Sequence, residues 1–212
     1  NVYTGFQETS RKIAVLNATD YALLANEAFA NDGRPLPFPN VSGLGKGTDW
    51  QDQVINKGVP IVNHDINFSG GSEKMTYAVS GSHLDQEGIV GGNKSGFLRN
   101  TARVGLTAEI SDRLKINTNV IYTYFNRKTL NENVLGSVLF NALNMPSVFT
   151  PYDENGSYTL VPNEANYGTE IINPLAQIEN TYNNYDYKKL NGNFGFEYKV
   201  AKGLTLVSSI GF

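Results

Sequence analysis

Hydrophobic and polar positions alternate along the chain with a period of two. Leu98 to Ile110 places Leu98, Ala102, Val104, Leu106, Ala108 and Ile110 on one face, interrupted only by Asn100. Arg99, Thr101, Arg103, Gly105, Thr107 and Glu109 fall on the other face, and no charge crosses over. Successive side chains of a strand point to opposite sides, so this pattern predicts a long β-strand. Leu114 to Tyr124 repeats it, with Leu114, Ile116, Val120, Tyr122 and Tyr124 opposite Lys115, Asn117, Asn119 and Thr123. Leu190 to Val200 does so with Leu190, Phe194, Phe196, Tyr198 and Val200 opposite Asn191, Asn193, Glu197 and Lys199.

The stretch INFSGGSEKMTYAVSGSHLDQEGIV, residues 66–90, alternates on both sides of Gly70-Gly71 and predicts a hairpin turning over Gly70 to Lys74. Its apolar face carries Met75, Tyr77 and Val79, and its polar face Thr76, Ser80 and Ser82. With the strand-like NVYTGFQ and GLTLVSSIGF at the two ends of the chain, about seven strands are expected. The connections alternate in length. Gly70 to Lys74, Ser111 to Arg113 and Ala201 to Gly203 are short; Gln7 to Val62, Asp85 to Gly96 and Asn126 to Tyr187 are long.

Two helices are predicted, both in the long connections. Asn17 caps the first with Asp20 three residues on, Tyr21, Leu24, Ala25, Ala28 and Phe29 share a face, and Gly33 ends it. The second spans Asn133 to Asn144, with Val134, Leu135, Val138, Leu139, Ala142 and Leu143 on one side and Pro146 as the stop.

Strands of this length exceed the usual globular five or six residues and are long enough to cross a tilted bilayer, where about 9 to 11 suffice. Short turns at one rim and long loops at the other are the arrangement of an outer-membrane barrel. Tyr77, Tyr122, Tyr124 and Tyr198 sit where an interfacial aromatic girdle would fall. The expectation is therefore an all-β, up-and-down antiparallel transmembrane barrel, turned inside out relative to a soluble sheet. Tyr77, Val79, Val104, Leu106, Val120, Phe194 and Phe196 would face lipid. Thr76, Ser80, Arg99, Arg103, Glu109, Asn117 and Asn119 would face the lumen. An open seven-stranded sheet leaves unpaired edges that no bilayer tolerates, so a larger closed barrel is implied. The competing reading is a soluble extracellular β-domain that buries the Leu98, Val104 and Leu106 face and binds carbohydrate through its long loop.

Composition agrees with the first reading. Of 212 residues only 17% are charged, against about 25% in ordinary soluble domains, while 21 Gly, 12 Tyr and 11 Phe suit strands and turns. The net charge of −3 and the lack of any Lys/Arg cluster exclude general nucleic-acid binding. The absence of cysteine excludes disulfides and thiolate sites.

The succession LNATDYALLANEA, GTDWQDQVINKG, INFSGGSEKMTYAVSGSHLDQEGIV, LRNTARVGLTAEISDRLKINTNV and ALNMPSVFTPYDENGSY resembles the start of the barrel in SusC/RagA-type TonB-dependent outer-membrane transporters of Bacteroidota. It spans nearly the whole chain. The resemblance implies that residues 1–212 are part of a 22-stranded barrel, with extracellular loops over 8–62 and 126–187 and short helices within them. It also implies an N-terminal plug outside this chain, through which the TonB complex acts, and a SusD-like surface lipoprotein over the mouth. The cargo implied is an oligosaccharide or peptide, the location the bacterial outer membrane, and no cofactor is called for.

No catalytic constellation emerges. His64 and His83 lack metal-ligand partners at helical or i, i+2 spacing, and no nucleophile elbow or Ser/His/Asp set is present, so an enzyme is not expected. YDENGSY, with Asp153 and Asn155, reads as a β-turn rather than a calcium loop. The connection over 126–187 is the most plausible functional segment, with Phe149, Tyr152, Asp153, Asn155 and Tyr158 as candidate contacts to cargo or lid and Tyr167 as a further aromatic. Trp50 is expected to anchor the first long loop.

Overall fold

The computed structural model describes residues 1–131, 135–161 and 171–212. Seven strands form one antiparallel sheet in sequential order: β1 (Val2–Gln7), β2 (Val59–Ser72), β3 (Met75–Glu87), β4 (Gly96–Ser111), β5 (Leu114–Lys128), β6 (Asn184–Ala201) and β7 (Leu204–Gly211). Each strand pairs only with its neighbours in sequence, so β1 and β7 are edges.

The register carries the alternation from strand to strand. Directly opposed residues share a face. Tyr77 faces Leu106, which faces Thr118, which faces Phe194, which faces Ile210. Phe68, Val79, Val104, Val120 and Gly192 make the next row, and Ile66, Gly81, Ala102, Tyr122 and Leu190 the one after. On the opposite face Glu109 opposes Lys115, which opposes Glu197, a ladder of alternating sign. One slipped residue would invert every side chain, so this agreement across six pairings fixes the register.

The hairpin turns are tighter than expected. Ser72 pairs with Met75, Ser111 with Leu114 and Ala201 with Leu204, so Gly70 and Gly71 belong to β2. The reason at Gly70 is its partner: a Cβ there would lie 2.7 Å from the Tyr77 hydroxyl, because the Tyr77 ring lies across the bare backbone.

Helix α1 (Ala18–Asn31) begins as the sequence predicts, with the Asn17 side chain accepting from Asp20 N–H at 2.9 Å and donating to the Asp20 carboxylate at 2.7 Å. Its buried face is rotated from the expected one. Ala18 and Ala22 are buried, while Leu24 is 55% exposed. A short helix α2 (Trp50–Val54) follows, capped by Asp49. The predicted helix over 133–144 is shorter: α3 runs Val138–Asn144, because Gly136 takes a left-handed φ of 76° and Ser137 caps it. Leu135 stands outside it, exposed, and Asn133 and Val134 lie outside the described residues. Helix α4 (Pro174–Glu179) has Pro at its start and Asn173 as cap.

The hydrophobic core lies in the connections, not under the sheet. Trp50 and Val54 pack with Leu130, Val138, Ala142, Met145, Val161 and Ile171, and Val90 joins from the connection between β3 and β4. All three long connections thus share one centre. In the sheet, by contrast, Phe68, Val79, Val104, Phe194 and Ile210 stay exposed on one face, and a contiguous apolar face of this kind marks an interaction or membrane surface.

Candidate functional site

The polar face of the sheet gathers the predicted lumen residues. Thr76, Ser80, Arg99, Arg103, Glu109, Asn117 and Asn119 all share it by register. Arg103 Nε donates to Asn119 Oδ1 at 2.9 Å, holding the guanidinium along the wall. Gly195 leaves room for Asn117, whose Oδ1 would be 2.8 Å from any Cβ there.

Towards the long connections this face changes character. Phe97, Phe125, Tyr185 and Tyr187 stand on it side by side, with Phe125 at the centre. Its ring centroid lies 4.8 Å from Tyr187, 5.5 Å from Phe97 and 5.9 Å from Tyr185, within the range of favourable aromatic pairs. Beside the cluster is a cavity of about 460 Å³ whose lining includes Gln86, Phe97, Arg127, Ser137 and Val138. A ring platform next to hydrogen-bonding side chains can stack on a planar or sugar-like face and orient it. These four aromatics are not among the residues expected to contact cargo or lid. Extending the parity of Asn119 and Thr123 one step to Phe125 would have found the first.

The residues expected on the connection over 126–187 divide. Phe149 packs against the shared core. Tyr152 and Tyr158 bridge a tight turn with ring centroids 5.3 Å apart, Tyr152 half-exposed and Tyr158 less so. The Asp153 carboxylate accepts from the N–H groups of Asn155 and Ser157, so it closes the turn. Desolvation, then the proximity of Tyr152 and Glu179, pushes the Tyr158 hydroxyl above its ordinary pKa. Tyr167 lies outside the described residues.

Trp50 anchors the first connection, buried with its indole N–H on the Pro146 carbonyl. Buried amides tie the third. Asn141 donates to the Gln177 side chain at 2.8 Å, and Asn173 donates to the Pro151 carbonyl at 2.9 Å while capping α4. On the surface Lys12 bridges Asp49 and Asp52, and Lys57 also meets Asp52. The hydrogen bonds to Asp52 and Asp49 raise the Lys12 pKa, and those from Lys12 and Lys57 lower that of Asp52.

The apolar face holds Tyr77, Val79, Val104, Leu106, Val120, Phe194 and Phe196, as the alternation requires. The two histidines also lie there, directly paired across β2 and β3, their rings stacked 6.3 Å apart. Spacing along the chain could not reveal a cross-strand pair. Among the described residues no group of three or more metal-ligating side chains exists.

A long up-and-down sheet with one large exposed apolar face and a loop-borne core at one end has the form of a segment of a membrane β-barrel. No family model matches the chain. Two curated proteins of Formosa agariphila match nearly all of it: TonB-dependent receptor P26, 29% identical over 95% of this chain and 19% of the relative, and TonB-dependent receptor P3, 27% identical over 100% and 20%. TonB-dependent receptor SusC of Bacteroides thetaiotaomicron is 35% identical over 56% of this chain and 11% of its own length. Among solved structures, the RagAB peptide transporter superposes over 100% of this chain and 27% of that one, at 22% identity with a TM-score of 0.68. The chain is thus similar over nearly its whole length to TonB-dependent receptors, and it spans about a fifth of the length of the two Formosa agariphila relatives. Those relatives are receptors, not enzymes.

Proposed function

We propose that the protein to which this chain belongs imports oligosaccharides or peptides across the bacterial outer membrane, driven by the TonB complex through a plug and working with a SusD-like surface lipoprotein. The observation that carries the reading is the two-faced sheet. Its apolar rows run along β5 from Leu114 to Tyr122, a stretch of roughly 26 Å at about 3.3 Å per residue. Tilted as barrel strands are, by about 35–45°, and extended by side chains at both ends, that stretch fits an apolar band about 25 Å tall. The apolar face is then the lipid face, and the Arg103 and Asn119 face lines the lumen. The connections that the sequence places over 8–62 and 126–187, and that the strands confine to 8–58 and 129–183, are extracellular.

On this reading the cluster of Phe97, Phe125, Tyr185 and Tyr187 lies on the lumen wall just inside the mouth. Passing cargo meets ring faces there, flanked by Arg127, and the exposed Tyr152 and Asn155 turn contacts cargo or lid from above.

The test uses the full-length protein. It is expected in the outer-membrane fraction with heat-modifiable gel migration, and its deletion is expected to abolish growth on the oligosaccharide or peptide source it serves. Phe125→Ala is expected to reduce uptake with the folded barrel intact. Recovery of the full-length protein as a water-soluble monomer without detergent would overturn the assignment.

A further inference from the structure

The polar face is one-sided in charge where it nears the long connections. Between the row of Arg103 and the row of Arg127 it carries Arg99, Arg103, Arg127 and Lys189, against Asp65 as the one acid. Signs alternate only nearer the short turns, in Glu109, Lys115 and Glu197. Arg99, Arg127 and Lys189 are exposed, and none of them meets a carboxylate among the described residues. The cations are interleaved with rings. One row across β4, β5 and β6 reads Phe97, Arg127 and Tyr185, and the next reads Arg99, Phe125 and Tyr187. Each guanidinium therefore has a ring beside it on the neighbouring strand and another along its own strand.

A free donor stands at the same place. Gln7 lines the cavity beside the rings, and its Oε1 accepts from the Gln86 amide at 3.1 Å. Its own Nε2 is buried with no hydrogen-bond partner among the described residues. A buried N–H without an acceptor is a cost that a ligand oxygen removes. The charged residues lining the cavity are Arg127, Lys128 and Glu87, and Glu87 belongs to the opposite parity of β3 from Gln86.

We infer that the wall around Phe97, Arg99, Phe125 and Arg127 is a subsite for an anionic oligosaccharide, a sugar chain bearing carboxylate or sulfate groups. The C–H face of a sugar ring lies on Phe125 or Phe97, the anionic groups meet Arg99 and Arg127, and a sugar oxygen accepts from Gln7 Nε2. The unpaired cations carry the inference, because a guanidinium gains most from an oxyanion it can bind with two parallel N–H groups. A neutral glycan would use the rings and leave that charge unanswered. A peptide laid on a sheet is held by main-chain hydrogen bonds at a free edge, and β4 and β5 are paired on both sides here, so the wall offers side chains only. The inference deepens the import reading and rests on it.

Binding of the detergent-purified full-length protein to an immobilised panel tests it. The panel pairs galacturonate oligomers with their methyl esters and sulfated galactan oligomers with their desulfated forms, and adds oligoglutamate peptides. The wild type is expected to retain charged sugars and not their neutral forms, with retention falling as salt rises. The pair that is retained distinguishes carboxylate from sulfate. Arg99→Gln and Arg127→Gln are each expected to weaken retention about tenfold or more. Arg99→Lys is expected to keep more of it than Arg99→Gln, and all three variants to keep heat-modifiable migration. Preference for a neutral form or for the peptide, or retention of no member, overturns the anionic subsite and leaves import of another cargo standing. Wild-type retention in both Gln variants overturns it as well, and loss of the folded barrel in both assigns the cations to packing inside the barrel instead. A full-length protein found outside the outer membrane overturns import and subsite together.

Discussion

The indole N–H of Trp50 donates to the backbone carbonyl of Pro146 at 3.1 Å, joining two segments 96 residues apart. Trp50 is 2% exposed, and the bond is made inside the cluster that also holds Met145 and Val138. Trp50→Ala removes the largest buried ring of that cluster and leaves the Pro146 carbonyl without this donor. Such truncations cost about 3–5 kcal/mol. The loss is expected to be local: limited proteolysis should cut within 8–58 and 129–183 while the strands stay protected. Equal protease resistance in the variant would contradict the anchor.

Asn141 is fully buried and donates to the Gln177 side chain and to the Gly136 carbonyl. Asn141→Ala leaves the Gln177 side-chain oxygen without this donor, which costs about 1–3 kcal/mol, while the Gly136 carbonyl keeps the Gln177 amide. Hydrogen exchange should rise at the amides of α3 and α4 and stay unchanged in β4 and β5.

Val104 and Ser80 lie on adjacent strands and on opposite faces of the sheet. Val104→Arg in the full-length protein is expected to destabilise the folded barrel by roughly 2–4 kcal/mol, the cost of such a charge near the bilayer midplane. Ser80→Arg, on the polar face, should cost far less. Urea unfolding in lipid vesicles reads the difference, and equal costs would contradict the assignment of faces.

Asp52 is held below its ordinary pKa by Lys12 and Lys57. A depressed carboxylate contributes stability above its unfolded value, near 3.9, that is lost as pH falls through the lower folded value. Lys12, held above its ordinary value by Asp52 and Asp49, contributes below about pH 10.4 and loses that contribution as pH rises through its folded value. Amide exchange in residues 8–16, taken relative to the intrinsic base-catalysed rate, is thus expected to be slowest between about pH 4 and 10 and to quicken at either end. High salt should quicken it throughout, because these groups are exposed.

The strands were legible because a period of two needs no knowledge of neighbours. Leu98 to Ile110 announces both its faces, and β4 extends that run by only a few residues. What pairs across strands was not legible. His64 and His83 are far apart in sequence and stack only through the β2–β3 register, and Phe125 meets Tyr187 only through that of β5 and β6. Helix ends depended on single residues: Asn17 signalled its cap through Asp20, whereas Gly136 interrupted a run that apolar spacing alone would continue. The face of α1 is not legible from size and apolarity: Leu24 has the character of a core residue and stands exposed, whereas the small Ala18 and Ala22 are the buried positions.

The common core of the three long connections has a mechanical consequence. Hydrogen bonds tie the hairpins together along the sheet but stop where the strands end. Above that line Trp50, Val54, Val90 and Leu130 act as a keystone, bracing the rim against splaying. A pull on any one connection is shared by all three, and the rim yields as one body or not at all.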